Sequence, residues 1–128
     1  MESSGVVVDT SIFIDYLRAK DKRNTVLYTI SDNLRICISS VTLYELLIGA
    51  TDKQKTQDVH LLTDDTIILP FDEEVSIRAS KIYHDLRKSN NMIEFRDIFI
   101  ASTCMIHKLP ILSSNKKHFQ RIKGLQIL

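Results

Sequence analysis

Apolar residues along this chain follow two alternating rhythms. Short apolar runs occur at Gly5–Val8, Leu34–Ile38, Thr66–Leu69, Ile111–Leu112 and Leu125–Leu128. Most are near-continuous Val, Ile and Leu rather than apolar–polar alternation, which is the mark of strands covered on both faces. Between them, apolar residues recur at helical spacing. Ser11–Lys20 carries Ile12, Tyr16 and Ala19; Thr25–Leu34 carries Val26, Leu27, Ile30 and Leu34; Val41–Ala50 carries Leu43, Leu46, Leu47 and Ala50. Lys53–Leu62 is polar, with Val59 and Leu62 on one side. Asp72–Lys88 opens on a capping Asp and carries Val75, Ala79, Ile82, Tyr83 and Leu86. Phe95–His107 carries Ile98, Ala101, Ser102 and Met105, with Pro110 barring any continuation, and Lys116–Arg121 reads as a short last turn. Strands alternating with helices predict an α/β fold: one three-layer α/β/α domain over residues 1–128, built on a central parallel sheet of four to five strands. No stretch reads as a linker, repeat or low-complexity tract.

At 128 residues the chain is long enough to bury a sizeable core without a disulfide or structural metal. Its 44% apolar and 26% charged content is that of a soluble globular protein. No apolar run approaches the ~20 residues of a membrane span, and the start, MESSG, has neither the basic end nor the apolar stretch of a secretion signal. The two cysteines, Cys37 and Cys104, sit in apolar contexts without metal-ligand spacing. They read as small buried thiols in a reducing compartment, so a cytoplasmic location is expected. The net charge of +1 hides an asymmetry: all 16 acids lie between Glu2 and Asp97, and beyond them Lys108, Lys116, Lys117, Arg121 and Lys123 stand without a single Asp or Glu. This is either a solvated basic tail or a rim attractive to phosphate.

The first strand ends in an acid, GVVVDTS, with Asp9 where the strand stops. In open parallel sheets ligands gather outside the carboxyl ends of the strands. The second strand exits into SSVTLYE, which puts Glu45 in the first turn of the following helix, near the same edge. Thr42-x-x-Glu45 also matches a capping box, so a purely local role for Glu45 stays open. Asp97, in EFRDIFIAST, falls near a helix start, where pairing with the helix dipole would be its local role. Three carboxylates gathered at one edge repel one another unless a cation joins them. Ligands that are all hard oxygens select Mg²⁺ or Mn²⁺, ions that commonly take substrate phosphate into their shell. The natural chemistry is hydrolysis of a phosphate ester.

These residues carry a family likeness. Val7-Val8-Asp9-Thr10-Ser11, Ser40 to Gly49 around Glu45, Ile68-Leu69-Pro70-Phe71-Asp72, and Asp97 to Ser102 followed by Leu109 to Asn115 together resemble, in order and spacing, the motifs of a PIN domain of the VapC toxin type. The resemblance implies a metal-dependent ribonuclease that leaves a 5′-phosphate on the downstream product. It also implies a homodimer and a cognate VapB-type antitoxin whose segment covers the cleft. By the same resemblance Asp9, Glu45 and Asp97 are the catalytic and metal-binding acids, while Ser11 and Ser113 are supporting hydroxyls. Asn115 fills a position that Asn holds in many relatives. The chain departs from the pattern at His118, where relatives often have a further Asp, and no carboxylate side chain lies downstream to replace it.

An acidic pocket needs basic neighbours to accept RNA. Arg96, Lys116, Lys117 and Arg121 are the candidates; Arg18, Lys20, Lys22 and Arg23 form a second basic group that also reads as ordinary solvation. His118 reads as a surface residue. The aromatics Phe13, Tyr16, Tyr28, Tyr44 and Phe99 suit core or dimer packing better than a base-stacking series. The apolar side of Val41–Ala50 and the Lys53–Leu62 helix are the surfaces on which an antitoxin segment would dock. The alternatives are a PIN nuclease of RNA maturation without an antitoxin, and a catalytically inactive PIN module that binds RNA or protein.

Overall fold

The computed structural model describes residues 5–30 and 32–128. Residues 1–4, within the start read for a secretion signal, and Ser31, inside the predicted helix Thr25–Leu34, lie outside them. Strand β1 (Gly5–Val8) is followed by helices α1 (Thr10–Arg18) and α2 (Val26–Ile30), with a 3-10 turn at Lys22–Asn24 between them. Strand β2 (Arg35–Ser39) leads into α3 (Ser40–Gly49) and α4 (Lys53–Thr63). Strand β3 (Ile67–Leu69) leads into α5 (Glu73–Lys88) and α6 (Phe95–His107), and β4 (Ile111–Leu112) into the short α7 (Lys116–Phe119).

The strands pair in parallel in the order β3-β2-β1-β4. The chain builds outward from β1 to β3, then crosses back through α5 and α6 to lay β4 against the other side of β1. That reversal opens a crevice between the carboxyl ends of β1 and β4, the place where open α/β sheets bind ligands. The run Leu125–Leu128 adds one parallel bridge, Ile127 to Ile111, so among the described residues the sheet has four strands flanked by that contact.

The near-continuous apolar strands are covered on both faces, as expected. Val6, Val7 and Val8 are fully buried, and they divide between two cores. Val7 joins Cys37 and the inner faces of α5 and α6, with Phe119 closing that layer; Val6 and Val8 join Ile38 and residues of α1 to α4, including Phe13, Leu46 and Val59. Edge strand β3 breaks the pattern, since Ile67 and Ile68 are exposed. Both cysteines are free and buried, and burial pushes each thiol upward. Among the described residues no helix is long and apolar enough to cross a membrane.

Helix ends follow local chemistry. Asp72 caps α5 by accepting from the Val75 amide at 3.1 Å, as the sequence predicts. Two members of the second basic group are engaged locally. Lys22 Nζ reaches back to the carbonyls of Tyr16, Leu17 and Ala19 at 2.7, 3.2 and 3.4 Å and so closes the end of α1. Arg23 pairs with Asp21. Replacing Lys22 with Met keeps most of the stem but leaves those carbonyls without their charged donor. Chemical denaturation of Lys22→Met is expected to show a loss of about 1–2 kcal/mol, the range for a charge-assisted hydrogen bond at a helix C-terminus.

Candidate active site

Asp9 stands at the mouth of the crevice between β1 and β4. Its amide donates to the Leu112 carbonyl at 2.9 Å, which ties it to the end of β4. It occupies the cap position of α1 with extended backbone, yet its side chain caps nothing. Instead Oδ2 accepts from Ser113 Oγ at 2.6 Å and from Ser11 Oγ at 3.0 Å. Those serines are themselves fixed: Ser113 Oγ accepts from the Asn115 amide at 2.9 Å, and Ser11 Oγ accepts from the Ser114 amide at 3.2 Å. The first turn of α1 and the loop after β4, from opposite ends of the chain, thus clamp one oxygen of Asp9. The other, Oδ1, is buried with no hydrogen-bond partner.

Asp97 lies in the first turn of α6 and is fully buried. Its Oδ2 is 3.2 Å from His118 Nδ1, and its Oδ1, like that of Asp9, is buried without a partner. Burial is the main cause of an upward shift in its pKa, and the negative charge of Asp9 adds to it; Arg96 and His118 act in the opposite sense. A buried polar oxygen left unpaired is rare and costly. Two of them on electrostatically coupled acids mark a place suited to a cation.

Glu45 is arranged differently. The helix is capped by Ser39, which accepts from the Val41 amide at 3.0 Å. The capping box at Thr42 therefore does not form, and Glu45 falls in the second turn of α3 rather than the first. Thr42 is buried inside the helix, its hydroxyl 3.2 Å from that of Thr10. Thr10 Oγ1 donates to Glu45 Oε1 at 2.6 Å, and Arg96 donates to both carboxylate oxygens, at 3.2 and 3.0 Å. Arg96 also bonds Glu94 through Nε at 3.2 Å. The expected convergence of Asp9, Glu45 and Asp97 is thus incomplete. Among the described residues no three His, Cys, Asp or Glu side chains form a group able to hold a metal ion. The positive charge that meets Glu45 here is a guanidinium.

The remaining candidates separate. Arg96, expected to face RNA, is engaged by two glutamates. Lys116 and Lys117 are exposed on α7, and Arg121 donates to the Met92 carbonyl at 2.9 Å. The Asn115 side chain makes no capping bond to α7. His118 keeps 42% of its side chain exposed, but its ring reaches the fully buried Asp97. Thr10 and Thr42 escape a reading confined to charged residues. Their signal was adjacency to Asp9 and i, i+3 spacing to Glu45 on one helix face.

A profile of the PIN domain family matches residues 6–125. Ribonuclease VapC1 of Methanocaldococcus jannaschii is 34% identical over 128 residues, covering 98% of this chain and 88% of that protein. Ribonuclease VapC1 of Rickettsia felis is 32% identical, covering 97% and 95%. Among solved structures, VapBC-1 from nontypeable Haemophilus influenzae aligns with a TM-score of 0.83 at 27% identity over 96% of each chain. The chain belongs to the PIN domain family, in its VapC branch.

Proposed function

We propose that this protein is the ribonuclease toxin of a VapBC-type pair, hydrolysing RNA phosphodiester bonds with Mg²⁺ or Mn²⁺ held at Asp9 and Asp97, with Glu45 as the third acid. The observation that carries it is the pair of buried, unpartnered oxygens on Asp9 and Asp97 at the switch point of the sheet. A bound divalent ion supplies a more acidic water for attack and positive charge for the phosphate. The chain's own part is positional. Ser11 and Ser113 immobilise Asp9 so that its free oxygen keeps one direction, and His118 does the same for Asp97. Thr10 fixes Glu45. Lys116 and Lys117 on α7, with Arg96 and Arg121, supply the basic rim that offsets the acids as RNA approaches.

An antitoxin segment would dock in the cavity of about 310 Å³ between α1, α3 and α4, where Leu17, Leu46 and Val59 give apolar walls and Glu45 stands at the edge. A second copy of the chain would cover the apolar side chains left exposed on α3 and β3, among them Tyr44, Ile48, Ile67 and Ile68. A cytoplasmic location suits both the RNA substrate and the reduced cysteines.

The test is cleavage of labelled RNA by wild type and Asp9→Asn with Mg²⁺, with Mn²⁺ and with EDTA. Wild type is expected to cut with either ion and stop in EDTA, and Asp9→Asn to be slower by on the order of 100-fold or more, beyond the 10–100-fold typical of residues that merely support a ligand. Equal cleavage by both proteins would expose a contaminating nuclease. No cleavage by wild type with either ion would favour an inactive binding module.

A further inference from the structure

Glu45 and Arg96 are 51 residues apart in sequence, yet one guanidinium nitrogen spans both oxygens of the carboxylate. The pair is half-sheltered: the side chains keep 18% and 37% of their exposure. Arg96 has a second partner in Glu94, whose side chain is 68% exposed. The guanidinium is also close enough to Asp97 to act on its charge. One cation therefore serves the third acid of the site while its next neighbour in sequence is one of the two acids with a free oxygen.

Resting on the proposed cation site at Asp9 and Asp97, we propose that Arg96 is an internal counter-cation that competes with the divalent ion for Glu45 and so sets the metal concentration at which the site fills. A carboxylate whose two oxygens both accept from a guanidinium has less charge and fewer lone pairs to offer a metal ion. Filling the site with Glu45 included must weaken the Arg96 pair, and the energy of that pair is subtracted from metal affinity. Glu94 makes the exchange feasible, because it keeps a partner for the guanidinium when Glu45 is withdrawn. Thr10 holds Glu45 at the site throughout, since its 2.6 Å bond uses Oε1 alone. Arg96 is in these terms a positioning residue that acts through Glu45.

The experiment is Mn²⁺ binding, followed by loss of the free-ion paramagnetic resonance signal and by calorimetry, with no RNA present. Wild type, Arg96→Gln, Arg96→Lys, Glu45→Gln and the double variant Glu45→Gln/Arg96→Gln are compared, and circular dichroism checks that each is folded. Arg96→Gln is expected to bind Mn²⁺ roughly two- to fivefold more tightly than wild type, the range expected when a partly sheltered ion pair is removed. Arg96→Lys should fall between them, because one ammonium nitrogen cannot serve Glu45 and Glu94 as Nη1 and Nε of the guanidinium do. In the Glu45→Gln background the Arg96 change should have little further effect. Equal or weaker binding by Arg96→Gln would overturn the proposal, and so would the same gain in both backgrounds, which would mean only general charge removal beside Asp97. The cation site stands or falls separately. If Asp9→Asn abolishes Mn²⁺ binding while Arg96→Gln leaves it unchanged, the site is real and the competition is not; if wild type binds no Mn²⁺, both fail.

Discussion

Asp97→Asn is expected to lose RNA cleavage by on the order of 100-fold or more while making the metal-free protein more stable. Asp97 is fully buried with one oxygen unpartnered, and burial together with the charge of Asp9 raises its pKa above the ordinary 3.8. An acid whose folded-state pKa is raised binds its proton more tightly in the folded chain. Its contribution favours folding at low pH and is lost as pH climbs from the unfolded value through the raised folded one. At neutral pH the ionised carboxyl therefore opposes folding, and a neutral amide of the same size relieves that cost. The gain should show as a higher Tm for Asp97→Asn than for wild type at neutral pH in the absence of metal. The gain should shrink as pH is lowered towards the ordinary Asp range. Melting curves with and without Mn²⁺ complete the comparison. Saturating ion should raise the Tm of wild type, by about 2.7 kcal/mol of stability at 100 times Kd, and leave Asp97→Asn nearly unmoved. A variant that is both inactive and less stable at every pH would mean that Asp97 serves the fold and not the site.

Phe119→Ala is expected to cost about 3–5 kcal/mol, a large share of the stability of a domain this size. The ring is fully buried and closes the core layer that contains Val7, Ile100 and Cys104. It is also the anchor of α7, a helix of four residues too short to persist on propensity alone. Its neighbour His118, on the same short helix, meets Asp97. The loss should therefore appear twice: as a lower denaturation midpoint, and as release of His118 from Asp97, visible in the imidazole NMR signals. Phe119→Leu keeps much of the volume and should restore most of the midpoint, with a cost under about 1.5 kcal/mol. If Phe119→Ala left the midpoint unchanged, α7 would not be part of the cooperative core.

Much of this molecule was legible in one dimension because the relevant physics is local. Val6 to Val8 read as a strand covered on both faces, and all three are fully buried. The limits of Phe95–His107 follow from its helical spacing and from Pro110. Asp9 was suspect because an apolar strand ended in an acid, and Asp97 because it fell in a helix's first turn; each of those signals needs only neighbouring residues. Glu45 was placed correctly near the edge but one turn too early, since Ser39 and Thr42 are both competent caps and local chemistry does not choose between them.

What only the tertiary structure decided are the pairings between residues far apart in the chain. The strand order β3-β2-β1-β4 puts Ser113 against Asp9, 104 residues away, and creates the crevice in which the site lies. Arg96 read as a cation for RNA and also holds Glu45; His118 read as a surface residue and touches Asp97. Secondary structure is set by period, caps and turn chemistry over a few residues, so the sequence determined the elements and the acids at their ends. Which charge meets which is set by how two cores pack against opposite faces of one sheet, and that depends on contacts no short stretch of sequence contains.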